Sequence, residues 1–239
     1  FGDWKAAGPA PKRPAVPAAY APAERGLRLY LVDRPDAAQT SVRFLAPAPR
    51  FADPSRVPLR LLGTVLGGSF TSRLNQNLRE KHGYTYGAGA RFQQGPVLGT
   101  FSAGAEITAK DTGAAIREFL AEFDRLSKGD VTDEEAGKAR GLVKNGVVGA
   151  FSGLSGIVGT AASYVEIGVP FETLGEDLAA MAKTNTAALN AQAKTALPLD
   201  RAVLVLVGDK ATILPQLKEA GLPTPVEVDS WGEKKGKKE

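Results

Sequence analysis

The sequence has no cysteine, one histidine and one methionine among its 239 residues. Without cysteine there is no disulfide framework, no thiol nucleophile and no thiolate metal site, and the composition suits cytoplasm and periplasm equally. With one histidine no His pair can bind zinc, and His82 is the only imidazole base on offer to a serine triad. No Gly-x-Ser-x-Gly elbow occurs; Gly153-Leu154-Ser155-Gly156 is one residue short. No apolar run reaches the ~18 residues of a membrane helix, so no membrane span is expected. Formal net charge is only +4, and four lysines against two glutamates in the closing WGEKKGKKE supply half of it. No basic stripe interleaved with aromatics remains to bind nucleic acid.

What is present is ordinary globular material, 43% hydrophobic and 23% charged, enough for one full core. Residues 1–25 are rich in proline and alanine from Pro9 to Pro22 and read as an extended linker, with Phe1 and Trp4 free to dock on a neighbouring domain. The start at Phe1 and the absence of a signal-peptide pattern lead us to expect a mature fragment or a piece of a longer protein. Residues 26–229 read as the folded domain and 230–239 as a flexible basic tail.

Alternating residues 27–34 predict a strand, Pro35-Asp36 a turn, and Ser41–Ala46 a second strand, a hairpin-like start. Asp53-Pro54 predicts a helix running to about Leu66. Two antiparallel strands are expected over 84–94 and 97–107. Thr108–Asp111 and Thr132–Glu135 have capping-box spacing. Behind the first, Ile116, Phe119, Leu120, Phe123 and Leu126 make a helical core stripe ending near Gly129. The second opens a helix to about Phe151, with Leu142, Val143 and Val147 inward. Residues 152–167 predict a closely packed helix, 171–183 and 185–196 further helices, 201–208 a buried strand and 211–220 a closing helix. Strands and helices segregate as in an α+β layer fold.

The organising stretch is GGSFTSRLNQNLREKHGYTYG, Gly67 to Gly87. Ser69 reads as a cap, a helix runs over 69–82, Gly83 stops it, and Tyr84-Thr85-Tyr86 begins a strand. A cation at Arg79 and a phenol at Tyr86, seven residues apart across a sharp turn, can converge and grip a peptide carbonyl or carboxylate. The residues alone also admit a plain reading: an arginine in a last helical turn and a tyrosine in a strand. Tyr84 competes with Tyr86, on the same face of a regular strand. Arg73 reads as structural or as a surface charge, and His82 as a surface residue at a helix end.

SRLNQNLREKHGYTYG resembles the signature of the C-terminal, non-catalytic half of the pitrilysin/insulinase family of zinc metallopeptidases. FGDWK at the start is similar to that family's inter-half linker, and VLVLVGD at 203–209 to a late strand. The resemblance implies the fold of the mitochondrial processing peptidase subunits, an α+β fold with a two-layer antiparallel sheet packed against helices. It implies that Arg79 and Tyr86 bind substrate backbone, that no residue here is catalytic or holds metal, and that the chain alone is no enzyme. Zinc is expected in a partner half carrying HxxEH, on a separate chain (a heterodimer) or upstream in the same polypeptide. On the counterpart helix, 54–66, Arg60, Gly63 and Thr64 stand where His, Glu and His would be. Two other functions fit the residues: a structural subunit of the same fold, like the respiratory-complex core subunits, and a stand-alone peptide-binding module.

Overall fold

The computed structural model describes residues 3, 5, 7–9 and 25–234. Phe1, Trp4, most of the Pro/Ala-rich linker and residues 235–239 of the basic tail lie outside the described residues.

Period-two alternation builds one sheet face. Strand β2 (Gln39–Ala48) buries Thr40, Val42, Phe44 and Ala46, and β4 (Gly99–Thr108) buries Phe101, Ala103, Ala105 and Ile107. Strands β1 (Arg28–Asp33) and β5 (Val203–Gly208) add Leu29, Leu31, Leu204 and Leu206. With β3 (Thr85–Gln94) and β6 (Val226–Val228) the sheet runs β3-β4-β2-β5-β1-β6. It is antiparallel from β3 to β5 and parallel across β5, β1 and β6.

The hairpin expected at the start does not form, because β5 lies between β1 and β2. Asp36 takes φ 61° in the predicted turn, so the chain does reverse there. But β5 is apolar at every position from Val203 to Val207, the pattern of a central strand, and it pairs with both.

The helices are α1 (Arg56–Gly67), a π helix (Asn75–Lys81), α2 (Thr112–Lys128), α3 (Asp133–Ala150), α4 (Leu154–Ile167), α5 (Thr173–Lys183), α6 (Thr186–Ala196) and α7 (Lys210–Glu219). The stripe predicted on α2 is core: Phe119 and Phe123 meet Phe44 at ring distances of 5.4 and 5.1 Å. Burying each such ring contributes about 1.5–3 kcal/mol relative to exposure. Gly129, in the left-handed region at φ 76°, ends α2 where the sequence placed the end of the stripe.

Helix starts depart from prediction in instructive ways. Asp53 does not cap α1 directly; its carboxylate accepts from the Ser55 amide (2.8 Å) and hydroxyl (2.5 Å), and the helix begins at Arg56. Thr108 makes no side-chain cap. Thr112, the first residue of α2, donates instead to the Ala109 carbonyl at 2.9 Å and lies 2.7 Å from the Thr40 hydroxyl, so no side chain caps α2. The Thr132–Glu135 box forms in both directions.

The segment expected to be closely packed is instead largely exposed. In α4 only Tyr164 is buried, while Leu154, Val158 and Val165 stay exposed. A 111° bend separates α3 from α4, and α4 touches the body through Tyr164, whose ring lies 6.1 Å from Phe51 and 5.8 Å from Phe171. Gly156 makes the corner, since a Cβ there would lie 1.9 Å from the Ala150 carbonyl oxygen. Leu142, expected inward, is exposed, whereas Val143 points in. Among the described residues no single helix is long and apolar enough to cross a membrane. The described part of the expected tail, 230–234, turns on the Asp229 carboxylate, which accepts from the Trp231 and Glu233 amides.

Candidate substrate-binding site

The helix predicted over 69–82 begins at Arg73, after turns through 68–72, and adopts the wider π form. Asn75 fixes where it lies. Its amide donates to the carbonyls of Ser69 (3.0 Å) and Ala88 (2.7 Å), and its oxygen accepts from the Ala88 amide (2.9 Å). Ala88 closes a β-bulge: Thr85 pairs with Ile107 but Ala88 with Ala105, one residue too many on β3. One buried asparagine thus pins the helix to the bulge. Gly83, at φ 67°, makes the turn between them.

Tyr84 and Tyr86 were expected on one face of a regular strand. Tyr84 instead lies in the bend before β3, and Tyr86 in the irregular stretch between Thr85 and Ala88. Tyr84 is half-buried against the core and stacks on His82 at 4.9 Å and 13°. Tyr86 is 84% exposed. His82, expected at the surface, is half-buried, its Nε2 3.9 Å from Glu118.

Arg79 and Tyr86 do come together: the guanidinium carbon lies 5.5 Å from the Tyr86 ring centroid. It lies closer still, 3.9 Å, to the ring of Phe70. The ion pair of Arg79 is to its chain neighbour Glu80 (2.9 Å), which is half exposed. Its donors are therefore not locked into the fold. Phe70 and Asn75 were not anticipated. A mid-helix asparagine is a weak sequence signal of side-chain-to-backbone bonding; Phe70, in a turn, gave none.

Arg73, one turn and a half earlier, is the opposite case. It is buried, donating to Asp130 at 2.5 Å and to both Glu135 oxygens at 2.6 and 2.8 Å. It is structural, as one of its two expected readings had it, and not a surface charge. Burial opposes its charge, but the hydrogen bonds it donates to Glu135 and Asp130 outweigh that and raise its pKa. An open cavity of about 440 Å³ flanks this network, bordered by Gln76, Glu122, Arg125 and Lys138. Its Glu122 and Arg125 already pair, at 3.1 Å.

Burial also pushes the Glu135 carboxyl up, but its bonds from Arg73 and the Thr132 amide win and hold it below the ordinary 4.5. A carboxyl depressed in the folded state stabilises the fold above its unfolded value and loses that stabilisation as pH falls through the folded one. Thermal stability should therefore drop from about pH 5 downward. Glu135→Gln should flatten that part of the profile; an unchanged slope would remove Glu135 from the account.

The helix that would carry a zinc motif offers no ligand. Arg60 is exposed, and the Thr64 hydroxyl donates to the Arg60 carbonyl at 3.0 Å. At Gly63 a Cβ would meet Arg91 and Phe92 at 3.3 Å, and at Gly67 it would meet the Ala90 amide at 2.1 Å. Here α1 is pressed onto β3, and these residues do not fit a zinc ion. Among the described residues no group of three His, Asp or Glu side chains is placed to hold a metal.

Among the described residues, a mixed sheet layered with helices, a π-helix–bulge junction presenting Arg79 and Tyr86, and an α1 without metal-ligating side chains stand together in one domain. The family model of the peptidase M16 inactive domain matches residues 1–142, and the chain belongs to that family. It is 31% identical over 121 residues to an uncharacterized zinc protease of Mycobacterium bovis, covering 51% of this chain and 27% of that protein. The chain thus spans about a quarter of the length of the curated relatives it matches. Among solved structures, the peptidase M16 inactive domain from Pseudomonas fluorescens aligns with TM-score 0.71 and 23% identity, over 84% of this chain and 48% of that one. A chain of complex III from Candida albicans aligns with TM-score 0.68 and 15% identity, over 81% and 48%.

Proposed function

We propose that this domain is the substrate-holding half of a zinc peptidase and works with a partner half that carries the HxxEH site. The convergence of Arg79 and Tyr86 beside an otherwise packed bulge carries this reading. Arg79 donates charge-assisted hydrogen bonds to a carbonyl of an extended peptide, and the Tyr86 hydroxyl adds a second donor. Neither group does chemistry. They fix the scissile segment for zinc, water and base supplied by the partner half, and positioning of this kind lowers barriers by several kcal/mol. Substrates are peptides or unfolded segments held extended.

The isolated domain should hold no stoichiometric zinc and cleave no peptide. Elemental analysis after metal stripping and zinc reloading checks this. One tightly bound zinc per chain, with hydrolysis that copurifies, would overturn the reading. The fold likeness to a complex III chain keeps a second reading alive, a structural subunit. That reading expects Arg79→Ala to leave all activity of an assembled peptidase untouched.

A further inference from the structure

We propose that Phe70 is the specificity-determining residue of this site: its ring covers the Arg79 guanidinium and its outer surface seats an apolar side chain of the bound peptide. The inference rests on the proposed substrate-holding role of Arg79.

Phe70 is 58% exposed in a turn, yet its ring centroid lies 3.9 Å from the Arg79 guanidinium carbon. Tyr86, 84% exposed, stands 5.5 Å from the same carbon. Two largely exposed aromatic rings therefore border one cation. Aromatic rings are large apolar surfaces that the fold here leaves uncovered. Contact with Phe70 also restrains an otherwise flexible arginine, aiming its N–H groups. A peptide carbonyl on that guanidinium has a side chain within one residue, since successive side chains of an extended strand alternate. What Phe70 presents beside Arg79 is the face and edge of an aromatic ring, 58% exposed. Leucine, phenylalanine or methionine is thus favoured there over glycine, serine or aspartate.

The test uses blocked heptapeptides of Gly, Ser and Thr in which one central position is Gly, Ala, Leu or Phe. Binding to the full chain is followed by NMR through the Arg79 Nε–H signal, and cleavage is measured in the assembled peptidase. Leu and Phe should be preferred over Gly by roughly fivefold to tenfold, the span of a partly covered apolar side chain. Phe70→Ala should cut that preference below about twofold, and Phe70→Trp should restore it, with melting temperature nearly constant because the ring is mostly exposed. If Arg79 responds to every peptide equally and Phe70→Ala changes nothing, Phe70 has no such role while the site stands. If the Arg79 signal moves with no peptide and Arg79→Ala leaves cleavage intact, the underlying reading fails and takes this one with it.

Discussion

Arg73→Ala is expected to destabilise the domain by about 3 kcal/mol, the low end for removing one partner of a buried ion pair. The guanidinium is only 6% exposed, so its loss strands the Asp130 and Glu135 carboxylates, which are 36% and 29% exposed. That partial exposure is why the low end applies: water can recover part of the lost hydrogen bonding. The network ties the start of the π helix to the start of α3, where Glu135 also completes the capping box of Thr132. The melting temperature should fall by roughly 6–12 °C in a chain of this size. Arg73→Lys keeps the charge but not the fork, and should recover only part of the loss. A fall below about 2 °C for Arg73→Ala would mean that the pair contributes no more than a surface salt bridge.

The second large effect is on activity rather than stability. Arg79→Ala should lower kcat/KM of the assembled peptidase roughly 10- to 160-fold, the equivalent of losing a hydrogen bond to a charged donor at about 1.5–3 kcal/mol. Tyr86→Phe removes one neutral hydroxyl, about 0.5–1.5 kcal/mol, and should cost roughly 2- to 13-fold. If both hold one carbonyl, the double variant loses less than the product of the singles. The fold should tolerate either change. Tyr86 is 84% exposed, and the ion pair of Arg79 is with its exposed neighbour Glu80. Tyr84→Phe is the control, since its ring stacks on His82 at 4.9 Å and it stands apart from Arg79; cleavage should stay near the wild-type level.

The contrast between two arginines on one helix shows what was legible in the sequence. Arg79 and Tyr86 converge as their spacing across Gly83 implied, because a left-handed glycine after a helix leaves few paths into the next strand. The strands and the α2 stripe were legible for the same local reason, period two and period 3.6. What was not legible depends on distant partners. Whether Arg73 is buried turns on Asp130 and Glu135, some sixty residues away. The place of β5 between β1 and β2 is a choice among pairings that alternation cannot rank. The bulge between Thr85 and Ala88 is held by Asn75 reaching Ala88, and α4 departs from α3 at a 111° bend. Phe70 enters the site only because the turn before the helix folds over Arg79.

The most direct test of the central claim is peptide hydrolysis by the zinc-bearing half alone, with this domain added, and with its Arg79→Ala variant added, each at matched thermal stability. The account predicts that the wild-type domain raises cleavage and that the variant forfeits roughly 10- to 160-fold of it. Equal cleavage with the wild-type and variant domains, both folded and both assembled, would contradict it.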